Sequence, residues 1–321
     1  NYQYAGLQVY QDDDNFVQIN RAYVNGDTIN FDVETSGTVV NTQIAESATT
    51  VYLRLDVDGN DYAGFFSLDG VAWTLVGVGS ASLSNPKVGL AAANNLDHVT
   101  EINADFDFFT VENCRPSTHV SDSFSATSLD GRWTWINEDP SKWSLSANPG
   151  FLRLITDDAP PGTAHRLIQV PPAGNYEVRT RMLFTPTTNF QIAGIVFWQN
   201  SDNMLLLGRA YCDVGPPACV GNGIYYDQIS GGAFTQNFAT TVANPSEAYF
   251  RVVRVGDAYH ALFSDNGSSW TIIGMHIAGD FPEVGMTSAQ DYAQIELPAD
   301  FDYFSIYHNL RNIFIPLVMR N

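Results

Sequence analysis

Lysine is almost missing from this chain: Lys87 and Lys142 are the only two in 321 residues. Acidic residues outnumber lysine and arginine 35 to 15, for a formal net charge of −20. Such a surface repels phosphate backbones and anionic headgroups, so nucleic acid is excluded as an expected partner. Runs of about 18 apolar residues are absent as well, which argues against membrane insertion by a helix. Residue 1 opens on strand-like sequence and not on a basic, apolar leader, so any export signal is expected upstream. Long Ala/Leu/Glu/Lys stretches at helical spacing are also lacking. The chain has instead 13% aromatics, 25 glycines and 45% hydrophobic residues, a composition that favours many short strands and turns around real cores. The length suits about two domains.

Motifs that carry chemistry are equally sparse. His98, His119, His165, His260, His276 and His308 are scattered, with neither metal nor triad spacing. No G-x-S-x-G elbow and no phosphate loop occurs. Three cysteines form no zinc pattern, but Cys212 and Cys219 bracket the turn-rich Asp213–Ala218 loop, which a disulfide between them would close. Cys114 is then left over, as a buried thiol or as the partner of a missing segment or a neighbouring chain.

The chain repeats itself. Asn1–Asn15 lies without gaps over Asn189–Asn203, and Arg21-Ala22-Tyr23 over Arg209-Ala210-Tyr211. Downstream, Tyr52, Arg54, Gly59, Tyr62, Ser67, Gly70 and Trp73 match Tyr249, Arg251, Gly256, Tyr259, Ser264, Gly267 and Trp270 in constant register. Ala104-Asp105-Phe106-Asp107 then matches Ala299-Asp300-Phe301-Asp302. These pieces read as strands joined by tight turns. Alternation puts Ala5, Leu7 and Val9, with Ala193, Ile195 and Phe197, on a core face, and Tyr10 and Trp198 on the opposite one. The copies differ at their starts. Copy two opens at Asp122 with strand-like sequence before Asn189, whereas copy one has no counterpart and is expected to expose apolar surface and unpaired edges.

Copy two resembles the concanavalin A-like β-sandwich that follows the catalytic propeller in bacterial β-xylosidases. The resemblance rests on Asp122-Ser123-Phe124, Trp133 to Pro140, Trp143-Ser144-Leu145, Pro149 to Leu154, Ala193-Gly194 with Gln199, Ser264 to Trp270, and Ala299 to Phe304. The closing Ile313–Asn321 is similar to a terminal tail on secreted Chloroflexi proteins. The resemblance implies an all-β fold of two tandem jelly-roll sandwiches, the first lacking its N-terminal strands, and an accessory role beside carbohydrate-active enzymes. It implies no activity, because the family's catalytic carboxylates sit in a propeller domain. The expected layout is an incomplete sandwich over 1–114, a linker over 115–121, a complete sandwich over 122–308 and a β-prone tail over 309–321.

Two Asp-x-Asp pairs, Asp105 with Asp107 and Asp300 with Asp302, are the obvious candidates for glycoside hydrolysis, which needs carboxylates about 5–10 Å apart. Their repetition beside core aromatics speaks for architecture, with structural Ca²⁺ as the alternative. Asp56 to Asp61 looks like the start of a calcium loop, but its counterpart Val253 to Ala258 replaces the ligand positions, so it reads as a turn. For glycan binding, flat aromatics and planar polar groups occur twice: Tyr10, Gln11, Arg21 and Tyr23, then Trp198, Gln199, Arg209 and Tyr211.

Two functions follow. The first is a non-catalytic, secreted or cell-surface carbohydrate-binding module without a required cofactor. The second is a subunit of an extracellular filament, in which the tail residues Ile313, Phe314, Ile315, Leu317, Val318 and Met319 complement an incomplete first sandwich, its own or a neighbour's. A missing upstream segment could fill the same gap. Pro316 limits the tail to an edge or irregular strand.

Overall fold

A computed structural model describes residues 3–94, 103–111, 118–213, 219–242, 246–268, 270–291, 295–308 and 311–320. Every regular element among them is a β-strand. The chain divides into two compact units, residues 1–117 with 309–321, and residues 118–308. Cys114 and the start of the expected linker lie outside the described residues.

In unit 1 the strands are β1 (Gln3–Asp12), β2 (Asn15–Tyr23), β3 (Asp27–Thr35), β4 (Thr38–Ala45) and β5 (Thr50–Asp58). They continue as β6 (Asp61–Ser67), β7 (Thr74–Ser80), β8 (Lys87–Asn94), β9 (Asn103–Phe106) and β10 (Thr110–Val111). Unit 2 opens with β11 (Thr118–Asp122), so 118–121 is strand and not linker: it pairs with the last strand of that unit, Val120 facing Ile306. Short strands follow, β12 (Thr134–Ile136), β13 (Trp143–Ser144), β14 (Leu152–Ile155), β15 (Asp157–Asp158) and β16 (Arg166–Gln169). The long strands are β17 (Tyr176–Leu183), β18 (Ile192–Asn200), β19 (Asn203–Cys212), β20 (Gly221–Ser230) and β21 (Ala233–Thr241). Then come β22 (Glu247–Val255), β23 (Ala258–Ser264), β24 (Thr271–Ile277), β25 (Glu283–Gln290) and β26 (Pro298–His308). The chain ends with β27 (Arg311–Arg320).

Each unit has two sheets. In unit 2 one runs β12-β16-β25-β18-β19-β20-β21 and the other β13-β14-β26-β17-β22-β23-β24, with β15 on β25 and β11 on β26. In unit 1 the first is cut back to β8-β1-β2-β3-β4, and the second runs β10-β27-β5-β6-β7 with β9 on β27. Among the described residues, unit 1 has no strands matching β11 to β16. The alternation expected from sequence holds: Ala5, Leu7 and Val9 lie in the unit 1 core, and Ala193, Ile195 and Phe197 in that of unit 2. The disulfide between Cys212 and Cys219 is formed.

The repeated residues are explained by packing. Arg54 is buried, with Phe65 and Trp73 over its guanidinium, and its fork grips Asp56 two residues along β5, Nε donating at 2.6 Å. Asp56 is thereby spent on an ion pair, and the calcium-loop reading of this segment falls away. Arg251, its counterpart, lies beneath Trp270 and pairs with Glu177 of β17 at 2.8 Å. Ser67 and Ser264 each accept the backbone N–H of the turn glycine, Gly70 or Gly267, at 2.9 Å. Those glycines have φ of 73° and 74°, where a side chain is strained. Gly6 and Gly194 are repeated for another reason: a Cβ there would stand 2.1 Å from a carbonyl oxygen of the next strand.

β27 occupies in unit 1 the place that β17 occupies in unit 2, in the same register. Val178 pairs with Val252 on one side and Ile306 on the other; Ile313 pairs with their repeat counterparts, Leu55 and Val111. Met182 pairs with Ala248 and Phe301, and Leu317 with their counterparts Val51 and Phe106. Even the bulge is shared. The ladder of unit 2 shifts between Arg181 and Met182, and in unit 1 the two tail residues Ile315 and Pro316 face the three residues separating β9 from β10. Pro316, which has no N–H to give, thus sits beside a gap in the ladder. Ile313, Ile315 and Leu317 take the register positions of Val178, Thr180 and Met182, all fully buried in unit 2. The tail, expected as one candidate strand for copy one, thus pairs within its own unit at the place of β17, while the places of β11 to β16 hold no strand among the described residues.

Two expectations follow. Deleting residues 309–321 removes a strand paired on both sides, and the cost to unit 1, more than about 4 kcal/mol, should abolish its thermal transition. Calorimetry checks this, since the transition of unit 2 should persist; two undiminished transitions would contradict the assignment. In unit 2, His276 is buried between Tyr226 and Phe238, its Nε2 donating to the Tyr226 carbonyl at 3.1 Å. Burial depresses its pKa from 6.5 to about 4. The unfolded state therefore binds the extra proton first as pH falls below 6.5. Stability contributed by neutral His276, on the order of 3 kcal/mol, is present above that pH and lost toward pH 4. Denaturant titrations should show a shallower acid slope for His276→Gln than for the parent chain.

Candidate functional site

The outer face of a sheet, the one turned away from the core, is where the two copies part. On β18 and β19, Ile192, Val196, Trp198, Met204 and Leu206 form an apolar cluster with Tyr225 of β20. Ala164, from the segment before β16, and Ala159 pack into that cluster. Arg166 stacks on Trp198, its Cζ 3.5 Å from the ring centroid, and gives its NH2 hydrogens to the Pro161 and Ala164 carbonyls.

In unit 1 the positions of Ile192, Met204, Leu206 and Tyr225 carry Tyr4, Phe16, Gln18 and Asn30, those of Val196 and Trp198 carry Gln8 and Tyr10, and Asn20 stands where unit 2 has Gly208. Cross-strand pairing makes a tile of four: Gln18 faces Asp32, and Asn20 faces Asn30. Residues opposite one another on one face stand about 5 Å apart, so these four side chains share one patch. The Asp32 carboxylate holds it together, accepting from Gln18 Nε2 at 2.9 Å, Asn20 Nδ2 at 3.0 Å and Asn41 Nδ2 of β4 at 2.5 Å. With their nitrogens committed to the carboxylate, the amides leave Gln18 Oε1 and Asn20 Oδ1 without a partner, and Asn30 Oδ1 is likewise unpartnered. The patch is the floor of a groove of about 420 Å³ walled by Tyr4, Phe16, Glu34 and Val39 and rimmed by Gln43. Glu34 has its carboxyl pushed up by burial and by Asp14, Asp32 and Asp13, and the Tyr4 hydroxyl rises through burial and the charges of Asp32 and Glu34. The groove is therefore electronegative, rich in acceptors, and bounded by two aromatic rings.

The residues singled out from sequence are not brought together. Tyr10 and Gln11 stand at the turn end of β1: Tyr10 donates to Asp13 at 2.7 Å, while Gln11 gives Nε2 to Asp12 and accepts from Ser84. Arg21 and Tyr23 lie at the other end of the β1–β2 hairpin. Arg21 is buried, and its guanidinium serves the Ala22, Thr28 and Ala48 carbonyls and Asp27. Tyr23 is 45% exposed. Arg209 is fully buried against Asn222, and Trp198 is covered as described; Gln199 is exposed and Tyr211 half-buried. The two arginines, Arg21 and Arg209, are thus buried and bonded within the fold, whereas Tyr10 does not share the covering of Trp198.

The aspartate pairs of the β26 motif also resolve into architecture. Asp300 receives a bidentate fork from Arg153 at 2.6 and 2.7 Å and a bond from Asn148, and Asp302 receives Arg181 at 2.8 Å. Arginine donors fill the oxygens that a cation would need. Asp105 and Asp107 are exposed, and no cluster of three metal-ligating side chains occurs among the described residues.

Gln18, Asn20, Asn30 and Asp32 were missed from sequence. The signal is a difference between copies, Gln18 against Leu206 and Asn20 against Gly208. For β3 the comparison fails, because the loop from Cys212 to Cys219 breaks the alignment before Asn30 can be set against Tyr225.

Residues 1–112 and 121–307 match the family described as the beta xylosidase C-terminal concanavalin A-like domain. Three of the solved structures that share the fold are the following. The GH43 BlXynB protein of Bacillus licheniformis superposes with a TM-score of 0.53 at 17% identity over 94% of this chain. A xylan beta-1,4-xylosidase of Bacillus halodurans gives 0.51 at 18% over 94%, and 76% of its own length is covered. The GH43B protein of a Bacteroides ovatus xyloglucan locus gives 0.52 at 16% over 94%, with 65% of its length covered. This chain spans 64% of the B. licheniformis protein. No curated protein matches it.

The ion pairs predict how unit 2 responds to calcium. Chelator should leave its melting unchanged, whereas Asp300→Asn should lower its stability by about 1–3 kcal/mol with or without added calcium. A melting temperature that rises with calcium in the parent chain would restore the metal reading.

Proposed function

The chain belongs, in two copies, to the beta xylosidase C-terminal concanavalin A-like domain family, and from that premise we propose that it is a non-catalytic, glycan-binding module of an extracellular protein. The observation that carries this is the open polar groove of unit 1, set where unit 2 is apolar and packed. A saturated sugar presents C–H faces, which aromatic rings accept, and hydroxyl donors, which carbonyl and carboxylate oxygens accept. Tyr4 and Phe16 supply the first, and the tile of Gln18, Asn20, Asn30 and Asp32 the second. The groove size lies in the range of small-ligand sites. An extracellular setting is supported by the Cys212–Cys219 bond, which persists where the surroundings oxidise.

A hydrolytic role has less support: the β26 carboxylates are engaged by arginines, and in the groove the Asp32 carboxylate is committed to three side-chain amides. Filament assembly by tail donation is weakened by the pairing of β27 with its own unit 1. That pairing fills the sheet position a neighbour's tail would need.

The test is retention on insoluble plant and microbial polysaccharides, followed by titration with soluble oligomers. Gln18→Leu, which installs the residue found in unit 2, should weaken binding about tenfold, equivalent to about 1.4 kcal/mol, with a melting curve that shows unit 1 still folded at the temperature of the titration. No retention on any polysaccharide would sink the proposal.

A further inference from the structure

The lining of the unit 1 groove is chemically one-sided. Among the described residues, no lysine, arginine or histidine lines it. Its carboxylates are Asp32 and Glu34, and its floor carries three amide oxygens without partners, on Gln18, Asn20 and Asn30. Those side chains are 7%, 1% and 7% exposed, and all three line the groove. A buried acceptor left unmet costs about 1–3 kcal/mol, which a donor on the ligand recovers. The orientation is fixed from below: the Asp32 carboxylate takes the Gln18 and Asn20 nitrogens. Turning either amide over would set an oxygen against that carboxylate.

Hydroxyls are both donors and acceptors and use such a surface only in part. A protonated amine brings three donors and no acceptor, together with the charge that two carboxylates without a counter-cation favour. A uronate brings the opposite charge and is repelled. Resting on the glycan-binding reading above, we propose that the unit 1 groove selects glycans containing unacetylated amino sugars, with the ammonium seated over the Gln18–Asn20–Asn30 oxygens beside Asp32. The aromatic walls, Tyr4 and Phe16, suit a sugar ring better than a bare metal ion, which needs only oxygens.

Calorimetric titration of the whole chain tests this with four oligomers of equal length: β-linked glucosamine, its N-acetylated form, a neutral glucan and a galacturonate, at a mildly acidic pH where the amine is protonated. The glucosamine oligomer should bind about tenfold tighter than its acetylated form, with that advantage shrinking as salt is raised, and galacturonate should not bind. Glu34→Gln should narrow the ratio between the two, with its melting curve showing that unit 1 is folded. Equal affinity for the amine and acetylated oligomers, or binding of galacturonate, overturns the selectivity while leaving glycan binding standing. Failure of all four to bind overturns both. Displacement of glucosamine by millimolar calcium without any preference among the sugars would instead identify a metal site and overturn the proposal.

Discussion

A strand in the middle of a sheet has to find a partner for its backbone on both sides, and β5 of unit 1 is such a strand. β6 satisfies one side. The other is satisfied by β27, which arrives from the far end of the chain and is itself flanked by β9 and β10. Unpaired N–H and C=O groups beside a hydrophobic core are costly, so a sandwich cannot tolerate a gap at that point. The rest of unit 1, its core and its outer groove, depends on that one pairing. Because β17 fills the same position in unit 2, the two units solve one geometric problem with segments drawn from different parts of the chain.

The substitution required a compensation in charge. In unit 2 the buried Arg251 takes its carboxylate from Glu177 on β17. By register the tail offers Asn312 there, which has none. Unit 1 supplies Asp56 from β5 itself, where unit 2 has Val253, and Arg54 turns to that carboxylate instead. A buried guanidinium without a counter-charge is destabilising by several kcal/mol, so the acid had to come from somewhere. Its relocation from a neighbouring strand to its own leaves the arginine, and the aromatic residue above it, unchanged between copies.

The two outer faces also differ in what they can do. In unit 2 the sheet continues past β25 through β16 and β12, and Ala159 and Ala164 pack into the apolar cluster on that face. Among the described residues, the matching sheet of unit 1 has β8 at its edge. An apolar outer face there would be exposed, and the sequence places glutamine, asparagine and aspartate on it instead. Polar groups on a half-open face can be bonded to one another and still keep acceptors for a ligand. A packed apolar face cannot.

Much of this was legible in the residues. Alternation in Ala5, Leu7 and Val9 identified the core face because strand side chains alternate with a period of two. Self-similarity revealed two copies, and the absence of opening strands predicted a gap that needs closing. The paired motifs around Arg54 and Arg251, or Asp300 and Asp302, stood out as well, yet their role did not. A buried arginine ion pair and a ligand-binding arginine use the same residue type, and only the position of the partner separates them. The groove was hidden for a related reason: Gln18, Asn20, Asn30 and Asp32 lie on two strands and meet only through cross-strand pairing. Composition, period and repetition, all local properties of the chain, determined the all-β class and the two copies. Tertiary structure alone decided that the tail pairs with β5 of unit 1 and that four scattered polar residues share one patch, because both arise from contacts between segments whose sequences do not encode each other's positions.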